Sequence, residues 1–261
     1  MNIAIVGATG KVGRTILKVL EKNKFIIDQL YVIASAKSAG QKINFNGKDY
    51  QVENIETYDF SKAKITFFAA GGKISEKYAE KAAKKTTIID NSSFFRMNPD
   101  VPLIVPQVNP GAIKNMKRNI IANPNCSTAQ LVIALKPLHD LFNIERIVVS
   151  TYQSVSGGGK NPMDELIEQT KLSLENKEIK PRNFTKQIAF NAIPHIDVFA
   201  DDGYTKEELK MTNETKKILG EKIELTATCV RIPVLVSHAE SVNVQFEKPF
   251  SLEKVRDALS K

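Results

Sequence analysis

The hydrophobic positions of the first half fall in short, nearly unbroken runs, each closed by glycine or a polar break and followed by helical spacing. Positions 2–6 (NIAIV) stop at Gly7, Gly10 and Gly13, after which 14–21 carry a helical stripe. Positions 30–34 and 65–70 repeat the pattern, the second ending at Gly71 and Gly72 ahead of a helix over 75–84. Positions 87–90, 101–106 and 119–122 predict three more short strands, and 127–135 a helix. Continuous apolar runs of this length suit strands covered on both faces in a parallel sheet. From Ile144 the pattern changes to IERIVVSTYQSVSGGGK, too long and too β-branched for another crossover unit, so a new sheet begins there. A helix over 160–177, a turn at 201–204, a helix capped by Thr205 with Glu208 at the capping-box position, and strands over 222–233 and 241–247 complete the pattern.

Strand, glycine turn and helix at the very start is the opening of a dinucleotide fold: the glycines allow a tight turn close to pyrophosphate, and the helix start offers N–H groups to its oxygens. The expected architecture is therefore α/β, with an N-terminal Rossmann-like parallel-sheet domain over 1–125 and an α+β domain over 126–261. The spacing is GxxGxxG, looser than the stricter GxGxxG fingerprint. At the end of the second strand a carboxylate would favour NAD, but this chain has Ser35, Ala36, Lys37 and Ser38. Two hydroxyls and a cation suit a 2′-phosphate, which points to NADP. The same composition describes a polar surface loop equally well.

A chain of 261 residues can bury a sizeable core in one large or two ordinary domains. Its 37 Lys plus Arg against 29 Asp plus Glu give a formal charge of +8 and raise the question of nucleic acid. The lysines, however, interleave with acidic residues at helical spacing, as in KEELKMTNETKK, which is a solvated face rather than a phosphate footprint. A positive field toward small anionic substrates and phosphate-bearing cofactors survives. No apolar run approaches the length of a membrane span, and Met1 opens directly into a strand pattern, so no signal peptide, no membrane role and a cytoplasmic location are expected. Two cysteines are too few for a disulfide scaffold, and no metal is expected.

Of those two, Cys126 stands where a strand runs out through Asn-Pro-Asn and a helix begins. A helix N-terminus favours thiolate, the form that attacks carbonyl carbon, whereas a free cysteine is otherwise commonly a small buried hydrophobe. Arg96 lies just past a strand end in a polar loop, able to hold a phosphate or carboxylate, or simply to form a surface ion pair. Gln153 lies on the strand face opposite Tyr152 and Ser154. Glu207 and Lys210 are three positions apart and share a helical face, for which surface pairing is the default reading. His139, His195 and His238 compete for a general acid/base role, with Arg231 seven positions before the last.

Taken together, GATGKVG (7–13), SAKSAG (35–40), DNSSFFRM (90–97), NPNCST (123–128), STYQSVSG (150–157), IPHIDVF (193–199), EELKMTNETKKI (207–218) and TCVRIPVLVSH (228–238) resemble, in this order, aspartate-semialdehyde dehydrogenases of the bacterial type. The resemblance implies NADPH-dependent reduction of aspartyl phosphate to aspartate semialdehyde with release of phosphate, on the route to lysine, threonine and methionine. It implies a homodimer or a dimer of dimers, whose second domain carries catalysis and the subunit interface. By position, Cys126 resembles the nucleophile, His238 the general acid/base and Gln153 the residue that orients the substrate. Arg231 matches the clamp on the substrate carboxylate, Glu207 the partner of its ammonium group, and Arg96 and Lys210 the phosphate ligands. Gly7, Thr9, Gly10, Lys11, Val12, Lys37 and Ser38 match the cofactor positions, with the backbone of Ser156 and Gly157 near the nicotinamide. Gln107 stands where family members usually have an acidic residue. Family chains also continue past the equivalent of Lys261 with a strand and a helix that supplies an amide to the cofactor, so part of the cofactor pocket is expected to be missing here. N-acetylglutamyl-phosphate reductase shares the glycine turn and the strand-to-cysteine arrangement but fits the EELK and RIPVLVSH segments less well. A shortened chain that binds nucleotide or a partner without turnover is the reading from another class.

Overall fold

The computed structural model describes residues 1–260, and the chain divides into two compact units, Met1–Pro124 and Asn125–Lys261. In the first, β1 (Ile3–Val6) runs into α1 (Lys11–Lys22), and β2 (Leu30–Ala34) follows. A hairpin of β3 (Lys42–Phe45) and β4 (Lys48–Gln51) and the short β5 (Glu53–Asn54) precede β6 (Ile65–Phe68), α2 (Gly72–Ala83), β7 (Thr87–Asp90) and β8 (Ile120–Ala122). The six-stranded sheet has the order β5-β2-β1-β6-β7-β8, and every pair in it is parallel. After β1 the chain moves to one side and then returns to the other, so β1 and β6 flank the point where strand order reverses, the place where open parallel sheets bind ligands at their carboxyl ends. Ile3, Ala4, Ile5 and Val6 are all buried, as a strand covered on both faces requires.

Two details of this unit differ from the sequence pattern. Positions 101–106 form no strand. They contribute one bridge, Leu103 to Ala122, because Pro102 and Pro106 have no N–H to continue a ladder. Both helices also begin earlier than their apolar stripes, since Gly10 and Gly71 serve as N-caps. The β3–β4 hairpin turns at Asn46 and Gly47, both with positive φ, which is what a tight two-residue hairpin needs.

The second unit opens with α3 (Cys126–Phe142), which continues seven residues beyond its predicted end and passes through Pro137. Then come β9 (Ile144–Gln153), α4 (Lys160–Leu174), α5 (Lys206–Leu219), β10 (Glu224–Arg231), β11 (Ala239–Phe246) and α6 (Leu252–Leu259). The long β-rich run ends as a strand at Gln153, and Val155–Gly158 is a 3₁₀ turn. The sheet has the order β10-β9-β11, with β10 parallel and β11 antiparallel to β9. Leu131, Leu135, Leu138 and Phe142 form one stripe of α3 and meet Ile147 and Val149 of β9, Met211 of α5 and Cys229 of β10 in a single core. Thr205 and Glu208 make the expected capping box at the start of α5. Among the described residues no helix is long and apolar enough to cross a membrane.

Candidate active site

In the first unit the glycine turn brings backbone against backbone. Gly7 has φ +84°, and a Cβ there would lie 2.7 Å from Ala69 O, while a Cβ on Gly13 would lie 2.2 Å from Gly7 O. Beside the turn a cavity of about 390 Å³ opens at the carboxyl ends of β1 and β2, lined by Gly7, Thr9, Gly10, Ala34, Ser35, Ile55, Ala69, Ala70 and Ile74. A glycine turn at a helix start with apolar walls beside it is a lining that fits a dinucleotide. Lys11 and Val12 occupy the exposed first turn of α1, and Lys37 and Ser38 a 3₁₀ turn directly after β2. A larger cavity, about 440 Å³, lies at the amino ends of β7 and β8 by Lys117, Arg118 and Glu80. Arg118 there is already 2.7 Å from Glu80, and Lys117 3.0 Å from Asp100, so size does not make it the better site.

Arg96 does not lie on the surface. It is buried, its Nε donating to Asn123 O at 2.9 Å and its Nη2 to Asn91 O at 3.0 Å. The fully buried Asp90 shapes this loop by accepting the Ser75 and Ser92 hydroxyls, each at 2.7 Å.

In the second unit Asn125 is the N-cap of α3, its Oδ1 accepting Ser127 N–H at 2.9 Å, and Cys126 is the first helical residue. The thiol reaches solvent, but among closely packed neighbours. Loss of surrounding water, then the Glu207 carboxylate, push Cys126 up; the N–H groups of Ser127 and Cys126 pull the other way and do not win. This corrects the expectation from the helix dipole alone, because a dipole end is weaker than desolvation combined with a nearby full charge.

That charge is itself buried. Glu207 lies on α5 with little exposure, so its contact with Lys210 at 3.1 Å is not the surface pair that spacing suggested. Its Oε1 accepts Asn125 Nδ2 at 2.9 Å and Gln153 Nε2 at 3.1 Å. Burial acts to raise Glu207, yet Lys210 and the two amides hold it low. Lys210 donates also to Asp197 at 2.7 Å, and burial notwithstanding, its two carboxylates hold it high. Gln153 is in turn oriented by Thr151, whose hydroxyl donates to Gln153 Oε1 at 2.9 Å.

Arg231 is the register partner of Gln153 and donates from Nη1 to Ser154 O at 2.6 Å. Burial lowers it, with Glu207 and Cys126 opposing. His238 is lowered by burial and then by Arg231. Its Nδ1 accepts Ser154 N–H at 3.0 Å, which assigns the proton of the neutral ring to Nε2. A Cβ on Gly157 would lie 3.1 Å from Arg231 Nη1 and 3.5 Å from His238 Nε2, so bare backbone faces both. The other two histidines have different partners: His139 Nδ1 accepts Ile144 N–H at 3.0 Å, and His195 stacks on Phe199. Among the described residues no group of His, Cys, Asp and Glu could hold a metal ion.

Two family profiles cover nearly the whole chain: the semialdehyde dehydrogenase NAD binding domain over residues 2–116, and the semialdehyde dehydrogenase dimerisation domain over residues 135–261. The chain belongs to the semialdehyde dehydrogenase family. Among semialdehyde dehydrogenases it is similar to the aspartate-semialdehyde dehydrogenase of Aquifex aeolicus, with 53% identity over 99% of this chain and 77% of that one. Aspartate-semialdehyde dehydrogenase 2 of Vibrio cholerae is 51% identical over 99% of this chain and 77% of that protein. A crystal structure of aspartate semialdehyde dehydrogenase II from Vibrio cholerae complexed with ASA superimposes with a TM-score of 0.97 at 50% identity, covering 100% of this chain and 78% of that one. The Candida albicans enzyme with NADP gives a TM-score of 0.73 at 26% identity, over 99% of this chain and 75% of that one. The chain is thus a member of an oxidoreductase family with a nicotinamide-binding domain.

The structure brings Cys126, Gln153, Glu207, Lys210, Arg231 and His238 into one cluster of the second unit. Sequence reasoning missed Asn125, Thr151, Ser154 and Asp197, which hold those side chains. Asn125 alone carried a local signal, an asparagine placed to cap the cysteine helix.

Proposed function

We propose that this chain catalyses the NADPH-dependent reduction of L-aspartyl 4-phosphate to L-aspartate 4-semialdehyde and phosphate, a step toward lysine, threonine and methionine, as a cytoplasmic homodimer. The observation that carries the reading is the clustering of a helix-start thiol with a buried carboxylate, an amide, a guanidinium and an imidazole. The names of the relatives and of the dimerisation profile support it.

Cys126 is the nucleophile. Its Sγ bonds to the acyl carbon as the carbon–oxygen bond to phosphate breaks, and the proton of the thiol is carried off in hydrogen phosphate, leaving a thioester. Glu207 accepts the substrate ammonium group, and this offsets the carboxylate charge that, after burial, pushes the resting thiol up. Arg231 grips the substrate carboxylate with its planar fork, Gln153 orients the acyl group, and Arg96 and Lys210 hold the phosphate. A reduced nicotinamide, when bound, supplies the hydride that takes an acyl carbon to the aldehyde level. His238 holds its proton at Nε2, gives it to the substrate oxygen as charge develops there, and takes it back when the carbon–sulfur bond breaks. Gly7, Thr9, Gly10, Lys11 and Val12 serve the pyrophosphate, Lys37 and Ser38 the 2′-phosphate, and the backbone of Ser156 and Gly157 the nicotinamide end.

The test is NADP reduction with aspartate semialdehyde, with and without inorganic phosphate. Phosphate-dependent turnover that disappears in Cys126→Ala is expected, and activity no greater than that of Cys126→Ala would overturn the proposal.

A further inference from the structure

The buried residues of α5 are Glu207, Glu208, Met211, Glu214, Thr215 and Ile218. Glu214 is 1% exposed and stands between two apolar residues, Met211 at 0% and Ile218 at 8%. A carboxyl group so placed is unfavourable unless it is hydrogen-bonded, and a leucine would fill the position without that cost. Packing therefore does not call for a glutamate. Its Oε2 accepts the backbone N–H of Asn125 at 2.6 Å.

Asn125 is the residue before the nucleophile, and its backbone, at φ −56° and ψ 149°, is where the chain turns into α3. Its side chain is held separately, Nδ2 by Glu207 and Oδ1 by the Ser127 N–H. One helix thus grips one residue twice, from the main chain through Glu214 and from the side chain through Glu207. Any rotation at Asn125 re-aims the first residue of α3.

We propose that Glu214 is a positioning residue for Cys126, fixing through the Asn125 N–H the direction in which the thiol meets an acyl substrate. The inference rests on Cys126 being the nucleophile. It assigns Glu214 no contact with substrate or cofactor.

The experiment compares Glu214→Leu, which fills the position but cannot accept the N–H, with Glu214→Gln, which can. Steady-state kinetics, the pH profile of Cys126 alkylation by iodoacetamide, and thermal midpoint are read for each. Misplacing a reacting atom by an ångström costs up to about 100-fold, so Glu214→Leu should lower kcat roughly 10- to 100-fold while KM stays within about twofold. Its alkylation profile should move as well. Glu214→Gln should keep kcat within about threefold, since the acceptor remains. Should Glu214→Leu fail to fold, Glu214→Asp, one methylene shorter, should show the same kcat loss and alkylation change. Leu or Asp variants with wild-type kcat and alkylation profile would overturn the inference, whatever their thermal midpoints. So would a Gln variant as impaired as the Leu variant, because the bond would then not be what matters. If the wild-type chain shows no turnover, the proposed reaction fails, and the alkylation profiles alone decide the role of Glu214.

Discussion

Replacing Gly13 by alanine should damage the first unit in a way that can be sized from its geometry. An added Cβ would stand 2.2 Å from Gly7 O, 2.7 Å from Ala8 Cα and 2.8 Å from Gly7 C. All three neighbours are backbone atoms, and no rotamer relieves them. The closest is more than 1 Å short of an ordinary contact, which begins near 3.4 Å, so the first turn of α1 must move away from the glycine turn. Forcing a methyl group into a packed site costs about 1–3 kcal/mol, and the better helix propensity of alanine returns at most about 1 kcal/mol. Gly10→Ala is the control. Its Cβ would meet only Gly7 O, at 3.3 Å, and its φ of −77° suits any residue, so a change of roughly 0.5 kcal/mol or less is expected. Urea midpoints give the stability, and thermal shift with NADP gives binding. A ligand at a hundred times its Kd stabilises by about 2.7 kcal/mol, and Gly13→Ala should lose most of that gain at the same concentration while Cys126 still alkylates at the wild-type rate. A Gly13→Ala protein with a wild-type urea midpoint and an undiminished NADP shift would refute the packing argument.

Glu207→Gln replaces the anion beside Cys126 with a neutral amide, so alkylation of Cys126 should rise at lower pH than in the wild type, while KM for the amino-acid substrate increases; an unmoved alkylation curve would remove Glu207 as a cause. Glu240 on β11 is pushed up to about 7 by burial, against a hydrogen bond from Gln130. Because its folded value lies above its unfolded one, its contribution is fully present below the ordinary glutamate range and is lost as pH rises through about 7. Thermal midpoints of Glu240→Gln should therefore fall less than those of the wild type between pH 5 and 8, and parallel curves would contradict this.

How much could be read from the sequence follows from how local each cause is. The strand–glycine–helix opening was legible because Gly7 and Gly13 answer backbone demands within a dozen residues. The position of Cys126 at a helix start was legible for the same reason. Its ionisation was not, because burial of the thiol comes from packing and the carboxylate that adds to it belongs to Glu207, whose contact with Asn125 spans 82 positions. Arg96 and the Glu207–Lys210 pair read as surface features because their composition is that of a surface, while burial is settled by packing. The apolar run over 101–106 forms only a bridge because Pro102 and Pro106, both visible in the sequence, cannot continue a ladder. The β3–β4 hairpin carries its own local signal in the Asn46–Gly47 turn pair. Glu214 left a fainter mark, an acidic residue at helical spacing from Met211 and Ile218 where an amphipathic helix would place an apolar one.

The central strand β9 carries two kinds of residue on one face: Ile147 and Val149 in the core, then Thr151 and Gln153 in the reactive cluster. Opposite them on β10 stand Cys229 and Arg231. Deleting a single residue between Ile144 and Gln153 would exchange the two faces, turning Tyr152 inward and Gln153 to solvent, and would unseat core and chemistry in one stroke. Length changes in this strand are therefore closed to evolution and to design alike. Adjustment of the reaction must come through side-chain identity at fixed positions, or through the segments that β9 joins.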